Sequence, residues 1–565
     1  MLADSLQTGR PRPRRLLRAA LALLLGAAGV AAATQSAAAV DDPSTAQVAI
    51  IVPIVAPETS TGYLTLEEIT RYTLPVGALT RQLDAVANRP VTLAVDPMII
   101  ASIRLLGTSA PASATSWLTR LASVSNDVIP LPYADSDLTL ATQAGSPVLR
   151  PESFDFAIKP ELFAAAVKQT PTPSPTPTAD PDDVPTLPTT ESLLDWDYTI
   201  DDIAWPKANS VISTDLDAIN AAGFTTTILS SGNLTRENPN ASVATIGDGK
   251  ILVTDDALSA ALGTAASALG PDSWQAAIGQ VSASVATGTG RTVIATLPRS
   301  VPAIGSFVAD TIAAVATTPG VTLVPLSTAI STHATTATLV ESPQDPGLVA
   351  TVSRLLQDTA AEQQFSSILT TPEVLTADRR LDLLGLTSIG WQASPERWTE
   401  ATNTFTTDSL DIRSSVEVVQ SSSPLNFVAD NAPVPISVSN DLPYPVTVYI
   451  TVRPRTALIA VENPRVELVI EPNSQAKGDV AIEAITNGIV KVEVSLTSAT
   501  GVPIGSPSLR EINVQAGWET PIVLVLAALV VLIFVIGIIR TVRRSRRAAA
   551  EDATSKTADA DASRE

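Results

Sequence analysis

The sequence predicts a fold of the α/β class: a parallel (β/α) barrel-like domain, complete or incomplete, then an antiparallel β-sandwich of immunoglobulin-like type and one transmembrane helix. Three observations support this prediction. Short apolar runs alternate with stretches of helical period over residues 46–340, apolar and polar residues alternate over residues 410–516, and residues 521–539 form one uncharged apolar run. These patterns are typical of buried parallel strands, half-buried strands and a membrane-spanning helix, respectively.

The amino terminus predicts a cleaved signal peptide over residues 1–39. Five arginines between residues 10 and 18 form a basic segment, residues 19–33 are apolar, and the alanines at 37–39 suit a signal peptidase. The alternative is an uncleaved amino-terminal anchor. Because residues 19–33 form a short run that is rich in alanine, the sequence favours cleavage and export of the chain that follows.

The predicted α/β domain covers residues 46–340. Its apolar runs are short and continuous, which is typical of strands buried on both faces, and helical stretches separate most of them. The count of about eight strands fits a (β/α) barrel, and a doubly wound open sheet is the alternative. The predicted strands are residues 47–55, 91–95, 128–131, 203–205, 225–229, 250–253, 292–297 and 321–325.

Residues 169–190 interrupt the α/β pattern. Proline and threonine alternate there, and such a sequence forms neither a helix nor a central strand, so we expect an extended, solvated insertion within the domain. O-linked glycosylation of its threonines is the alternative. Residues 341–409 then predict a helical connection, with helices at 347–368 and 372–384 and with Gly385 as the stop of the second helix.

The predicted β-sandwich covers residues 410–516. Seven short runs alternate apolar with polar residues, and turn residues such as Asn487-Gly488 separate them. This spacing of short strands is typical of an antiparallel sandwich of immunoglobulin-like type. The predicted strands are residues 415–419, 434–438, 446–452, 465–470, 480–485, 489–496 and 511–514.

Residues 521–539 predict the transmembrane helix. As a helix this run is roughly 28 Å long, close to the thickness of the hydrocarbon core of a bilayer. Arginines follow it at once, and the positive-inside tendency places residues 540–565 in the cytoplasm and the preceding domains outside the cell. We therefore expect a single-pass protein of the cell membrane. The tail is too short to fold alone, which argues against a signalling receptor.

Composition argues against several classes of site. The chain has no cysteine and one histidine, His333, so zinc enzymes and nucleophilic Cys or Ser–His chemistry are disfavoured. We expect no metal and no cofactor, with a carboxylate site for calcium or magnesium as the open alternative. The formal net charge of −21 repels nucleic acid, so we expect no DNA or RNA partner.

Polar residues follow several predicted strands, where parallel α/β folds place their ligands. We single out Asp96, Asp135 and Asp137 as candidate catalytic residues, because facing carboxylates can hydrolyse a glycosidic bond. The competing interpretation is turn and helix-capping chemistry, and Asp137 in particular is placed to cap a helix. The sequence favours a non-catalytic role. Other polar or aromatic residues at strand ends are Trp205, Asn233, Asp255, Asp256 and Arg299.

Several motifs resemble an actinobacterial family of unknown function. They are LAVDP (93–97), LPYADSD (131–137), VSNDLPYPVTVYITV (438–452) and VELVIEPNSQAKGDVAIEA (466–484). Members of that family are secreted, carboxyl-terminally anchored envelope proteins, commonly encoded beside the lipid II flippase. Relatives often have a proline where this chain has Ser136, and the family has no assigned catalytic residues to carry over.

The resemblance implies a place in the cell envelope. It also implies a link to the export of wall precursors. Together with the residues, which favour a non-catalytic role, this leads us to expect an uncharacterised, non-catalytic scaffold or binding module near peptidoglycan synthesis or export. The partners would be the membrane, cell-wall glycan or membrane proteins of wall synthesis. The alternative from the residues alone is a carbohydrate-active hydrolase that uses Asp96 with Asp135 or Asp137.

Overall fold

The computed structural model describes residues 45–163, 187–300, 302, 305–420, 425–427, 431–515 and 519–558. The predicted signal peptide and most of the predicted insertion at 169–190 lie outside these residues. The protein has a mixed α/β fold with a sheet of mostly parallel strands, an antiparallel β region towards the carboxyl terminus and one apolar helix after it. At this level the predicted fold class is confirmed, whereas the barrel and the immunoglobulin-like type stay predictions.

One sheet in the described chain contains eleven strands. Most neighbours are parallel, while β8 also has an antiparallel neighbour in β7, and β6 pairs antiparallel with β11. Three short strands (β6, β7 and β11) were not predicted, because their sequences lack a long apolar run. The strands are β1 (Ala46–Ile54), β2 (Thr92–Val95), β3 (Val128–Pro130), β4 (Ile203–Ala204), β5 (Thr226–Ser230), β6 (Leu234–Arg236), β7 (Val243–Ile246), β8 (Gly249–Thr254), β9 (Thr292–Thr296), β10 (Val321–Leu323) and β11 (Thr335–Leu339).

Strand β1 is central to the sheet. It pairs in parallel with β2 and β9, and its first residues pair with β10. Alternate residues of β1 belong to different apolar clusters: Ile50 packs with the helices, whereas Ile51 packs with Ile129 and Ile228 from other strands. Because side chains alternate between the two faces of a strand, the unbroken apolar sequence of β1 fits burial on both faces.

Helices cover the sheet, and local sequence explains their limits. Residues 66–87 have a helical pattern, and Pro75 divides them into two helices, since Leu74 before it has an extended ψ of 160°. Thr65 and Glu68 form a capping box at the start of the first helix. The helices are α1 (Leu66–Thr73), α2 (Ala78–Val86), α3 (Pro97–Leu105), α4 (Ala112–Ala122), α5 (Leu138–Gln143), α6 (Thr190–Leu194), α7 (Ser213–Ala221), α8 (Asp256–Ala266), α9 (Pro271–Ala286), α10 (Val308–Ala316) and α11 (Leu326–Ile330).

The connection contains α12 (Pro346–Phe365), α13 (Glu373–Leu386) and α14 (Pro395–Ser414). The prediction that Gly385 stops a helix is wrong, because α13 continues through it. A Cβ atom at Gly385 would lie 2.7 Å from the carbonyl oxygen of Thr59. Glycine is needed here for the close approach of another backbone segment, which is a second common reason for a glycine in a helix.

The carboxyl-terminal β region consists of two sheets that share one apolar cluster. Buried and exposed residues alternate along most of its strands, as the sequence pattern predicts. Phe365 and Leu369 of the connection join the same cluster. The strands are β12 (Val416–Val418), β13 (Leu425–Phe427), β14 (Asn431–Asn440), β15 (Val446–Pro454), β16 (Ile459–Val461), β17 (Arg465–Ile470), β18 (Ser474–Ala484), β19 (Gly488–Thr497) and β20 (Pro503–Val514).

The last helix, α15, extends over Glu519–Ala558. Its segment Ile522–Arg547 is long and apolar enough to span a membrane, and the side chains of its apolar part are exposed in the protein. This agrees with the predicted span at 521–539 and is consistent with a single-pass anchor. The direction in which the helix crosses the membrane stays a prediction.

Candidate functional site

The carboxyl ends of four parallel strands bring the predicted site residues together. Asp96 follows β2, Asp135 and Asp137 follow β3, Trp205 follows β4, and Arg299 comes three residues after β9. Asp96 accepts a hydrogen bond from the Ala134 backbone, and Asp135 forms an ion pair with Arg299. The sequence therefore correctly predicts that these residues are neighbours, and their contacts define what each can do.

Asp96 caps a helix. One carboxylate oxygen accepts hydrogen bonds from the N–H groups of Met98 and Ala134, each at 2.9 Å, and the first of these caps α3. The residue is 1% exposed. Burial, with the nearby charge of Asp135, raises the pKa of Asp96 well above its ordinary value. The side chain therefore links the start of α3 to the loop after β3.

Asp137 caps the next helix. It accepts hydrogen bonds from the Thr139 backbone at 3.1 Å, from the Thr139 hydroxyl at 2.8 Å and from the Gln344 amide at 2.6 Å. Burial raises its pKa, while these hydrogen bonds oppose the rise. Because Gln344 precedes α12, the carboxylate also ties the α/β domain to the helical connection. No sequence pattern identifies Gln344 as a hydrogen-bond partner of Asp137.

Asp135 and Arg299 form a buried ion pair. Their side chains are 4% and 6% exposed, and an Asp135 oxygen lies 2.9 Å from an Arg299 nitrogen. Arg299 also donates to the Trp205 carbonyl oxygen, and its guanidinium carbon lies 4.1 Å from the centre of the Trp205 ring. Burial raises the pKa of Asp135 to about 7, although the charge of Arg299 opposes the rise. Burial likewise lowers the pKa of Arg299.

The loop that carries Asp135 has an unusual backbone. Ala134 and Asp135 have φ values of 58° and 46°, in the left-handed region that non-glycine residues seldom adopt. A β-bridge between Ser136 and Ser388, and a hydrogen bond of 2.8 Å from the Asp137 N–H to the Thr387 oxygen, fasten the loop to the residues just after α13. Backbone strain of this kind persists only where the surroundings fix it.

A cavity of about 440 Å³, here called the main cavity, opens beside Arg299. Its floor consists of residues at the ends of β4, β5, β8 and β9, and its cover is the short 3₁₀ helix Ile389–Ala393. Its polar lining includes Lys207, Ser230, Thr254, Thr296, Ser300 and Gln392. The sequence did not predict the cover, because it comes from the connection and follows the strand-end residue Arg299 only after about ninety residues.

Several polar groups in the main cavity have no partner in the protein. Among the residues that the structure describes, the side chains of Thr296, Ser300 and Gln392 make no hydrogen bond, although the Thr296 backbone N–H donates to the Ser259 hydroxyl. Lys207 donates one hydrogen bond, at 3.2 Å to Gln344, of the three that an ammonium can make. The cavity therefore offers hydroxyl, amide and ammonium groups to a ligand.

Asp96 and Asp135, in contrast, face little free space. A gap lined by Asp96, Asp135, Gly385 and Ser388 has a volume of only about 10 Å³. Such a gap holds at most about one water molecule. Asp96 and Asp135 therefore border this gap and not the main cavity, which is lined by Arg299, the ion-pair partner of Asp135.

The other residues predicted at strand ends have structural contacts. Asn233 donates to the Val211 and Val340 carbonyl groups, and Asp255 caps α8. His333 lies exposed in the loop between α11 and β11. In the part of the chain that the structure describes, no group of three or more His, Cys, Asp or Glu side chains is placed to hold a metal ion.

The fold and the site define a class: an α/β domain joined to an antiparallel β region, with one helix able to anchor the chain in a membrane. The chain belongs to the family of unknown function DUF6049, whose family model matches residues 26–558. No curated protein sequence matches the chain.

Solved structures resemble only a small part of the chain. Native α-2-macroglobulin of Escherichia coli is 11% identical, with a TM-score of 0.15, over 18% of this chain and 7% of that one. WR4, an MSP family member of Caenorhabditis elegans, is 9% identical, with a TM-score of 0.14, over 18% of this chain and 99% of that one. The Escherichia coli chaperone DraB is 14% identical, with a TM-score of 0.14, over 18% and 55%. Likenesses this weak carry no argument about function.

Proposed function

We propose that the protein is a non-catalytic binding module of the cell envelope, which holds a polar ligand in the main cavity. One observation carries the proposal. The carboxylates at the strand ends are engaged in caps and an ion pair, whereas Thr296, Ser300, Gln392 and Lys207 present unused hydrogen-bonding capacity to an open cavity. Polar groups placed in this way orient a ligand without taking part in chemistry.

The location that we propose follows the sequence. The signal peptide would direct export, α15 would anchor the chain with its arginine-rich end in the cytoplasm, and both folded regions would face outward. The resemblance to actinobacterial proteins encoded beside the lipid II flippase supports a role near peptidoglycan synthesis or export. We also infer that the parallel strands close into a (β/α) barrel and that the β region is an immunoglobulin-like sandwich. The hydrogen bond from Thr199 to Val128, between the segments of β4 and β3, supports the closure.

Wall glycan is the ligand class that we propose. Sugars present many hydroxyl groups, and the hydroxyl, amide and ammonium groups of the cavity can donate to them. The test uses the full-length chain in amphipols and the disaccharide repeat of peptidoglycan, with affinity measured by calorimetry. Thr296→Val removes one free hydroxyl, so affinity should fall about three- to tenfold, which is the range of one hydrogen bond.

A matched substitution controls that experiment. Thr338 lies exposed on β11, away from the main cavity, so Thr338→Val should leave the affinity unchanged. Equal affinities for Thr296→Val and the wild type, or no binding by the wild type, would contradict the proposed ligand.

Partners are tested in native membranes. Chemical crosslinking followed by mass spectrometry should recover membrane proteins of wall synthesis attached to the exported part of the chain. Their absence from repeated experiments, with the protein itself well sampled, would remove the proposed place near wall synthesis.

The second candidate is a carbohydrate-active hydrolase. It is favoured by the pKa of about 7 for Asp135, since a general acid works best with a pKa near the pH of the reaction. In this mechanism Asp96→Asn and Asp135→Asn should each abolish turnover of wall glycan at temperatures where circular dichroism shows the variant to be folded. Full turnover in both variants would eliminate the hydrolase.

A further inference from the structure

A second cavity adjoins the main one. It has a volume of about 250 Å³, and we call it the tryptophan cavity because Trp391 and Trp398 line it. Lys207, Ile389 and Gln392 line both cavities, so one layer of side chains separates them. The two cavities therefore lie side by side, and a ligand that displaces these shared side chains could occupy both.

The walls of the tryptophan cavity are mostly apolar. Leu140, Leu348, Leu386 and Pro395 contribute to them. Both indole N–H groups are already engaged, that of Trp391 with the Gly385 oxygen at 2.9 Å and that of Trp398 with the Leu386 oxygen at 2.8 Å. The two rings therefore offer their apolar surfaces to an occupant.

Two polar side chains deep in these walls, Asp137 and Thr387, are already engaged, while Lys207 and Gln392 lie at the boundary with the main cavity. Asp137 accepts from Thr139 and Gln344, and the Thr387 hydroxyl donates to the Leu383 oxygen at 3.1 Å. A sugar ring placed here would lose hydrogen bonds to water and find few in return, which costs free energy. A hydrocarbon group loses nothing by leaving water, so the tryptophan cavity favours an apolar occupant.

We infer that the site binds a two-part ligand: a hydroxyl-rich head in the main cavity and a slender apolar chain in the tryptophan cavity. Lys207, at the boundary, would donate to the oxygen atoms that join the two parts. The ligand class is thus a glycoside-type amphiphile. This inference rests on the proposed function, because it extends the ligand of the main cavity.

The test compares two probes on the full-length chain in amphipols. Glucose represents the head alone, and n-octyl glucoside, used below its micellar concentration, represents head and chain. We expect n-octyl glucoside to bind at least tenfold more tightly than glucose, measured by calorimetry. n-Octanol should compete with n-octyl glucoside and leave the binding of glucose unchanged.

A variant that fills the tryptophan cavity complements the comparison of probes. Leu348→Trp should occupy the tryptophan cavity and reduce the affinity for n-octyl glucoside to that for glucose. Leu410 is 55% exposed on α14, outside both cavities, so Leu410→Trp should change neither affinity. If Leu348→Trp does not fold, the competition by n-octanol still tests whether the tryptophan cavity holds the apolar chain.

The outcomes separate the two proposals. Equal affinities for both probes, or no effect of n-octanol and of a folded Leu348→Trp, would overturn the two-part ligand while the main cavity keeps its polar ligand. If glucose, n-octyl glucoside and the peptidoglycan disaccharide all fail to bind, the proposed function falls together with this inference.

Discussion

The α/β domain with its connection and the carboxyl-terminal β region differ in how deeply their charged side chains are buried. In the connection, Arg379 and Glu362 form an ion pair with side chains 6% and 1% exposed. In the β region, Lys491 and Glu511 form a pair with side chains 63% and 50% exposed. The first pair has left water almost completely, whereas the second remains solvated.

This difference indicates that the two regions are stabilised by different interactions. Buried ions cost desolvation energy and tolerate few arrangements, so they fix the geometry of the segments that carry them. One such pair, Asp135 with Arg299, lies beside the main cavity, and another, Arg379 with Glu362, lies within the connection. The β region is held instead by its apolar cluster, which suits a support whose shape matters more than its chemistry.

The largest effect is expected from removing a buried cation. Arg379 donates to Glu362 at 3.0 Å, to Asp382 at 2.9 Å and to the Phe405 oxygen at 3.0 Å. Arg379→Met would leave two carboxylates buried without their partner. The free energy of unfolding should fall by about 3–5 kcal/mol, measured by denaturant titration of the full-length chain.

The control for that variant lies in the β region. Arg455 is 57% exposed in its pair with Glu493, so Arg455→Met should change the free energy of unfolding by less than about 1 kcal/mol. Similar losses in the two variants would contradict the contrast between the regions.

The next largest effect concerns Gly62, where a loop crosses α13. Gly62 has a φ of +63°, and a Cβ atom there would lie 1.9 Å from the Leu381 oxygen. Gly62→Ala should cost about 2–4 kcal/mol, because it combines backbone strain with a clash against α13. The melting temperature of the variant is the measurement.

Gly501 in the β region separates these two causes. It has a φ of +88°, and nothing lies within 4 Å of its Cβ position. Gly501→Ala therefore carries the backbone strain alone, and about 1–2 kcal/mol is expected. A loss as large as that of Gly62→Ala would mean that the crossing at α13 contributes nothing.

Sequence patterns predicted the elements that obey one period. The apolar alternation of Arg465–Ile470 predicted the limits of that strand to the residue. Strand β7 has only four residues and was missed although it forms a hairpin with β8, whereas β11, rich in threonine, was missed because its partners β6 and β7 lie far along the chain. Gly385 was misinterpreted for the same reason: what it accommodates is Thr59.

The sequence predicted which residues lie close together in the site, but not what each of them does there. Strand ends meet at one edge of a parallel sheet, so Asp96, Asp135 and Arg299 were expected close together. Whether a carboxylate caps, pairs or stands free depends on its other contacts. Gln344 and Gln392, which complete the site, come from the connection and carry no pattern that marks them.

The third effect is a dependence of stability on pH. Burial raises the pKa of Asp382 and of Asp135 to about 7, above the unfolded value of about 4. The folded chain then binds more protons between these values, so the stability they contribute is complete below about pH 4 and is lost as pH rises through about 7. Each carboxyl group gains about 1.4 kcal/mol from pH 8 to pH 6, so the melting temperature should rise by about 5–10 °C over that interval.

Variants assign this dependence to the buried acids. Asp382→Asn should reduce the rise between pH 8 and pH 6 to about half, since the amide does not titrate and Asp135 still does. Glu511→Gln, in the exposed pair of the β region, should leave the rise intact. A rise that persists in the double variant Asp135→Asn/Asp382→Asn would show that other groups cause it.

The smallest effect on the free energy of unfolding is expected from breaking an exposed ion pair of the β region. Lys491→Gln breaks the pair with Glu511, whose atoms lie 3.3 Å apart in solvent. Exposed pairs gain little because water screens them and the side chains lose freedom, so the free energy of unfolding should change by less than about 0.5 kcal/mol. Added salt should reduce even that change. A loss near that of Arg379→Met would mean that the β region, too, depends on fixed charges, and its role as an apolar support would have to be abandoned.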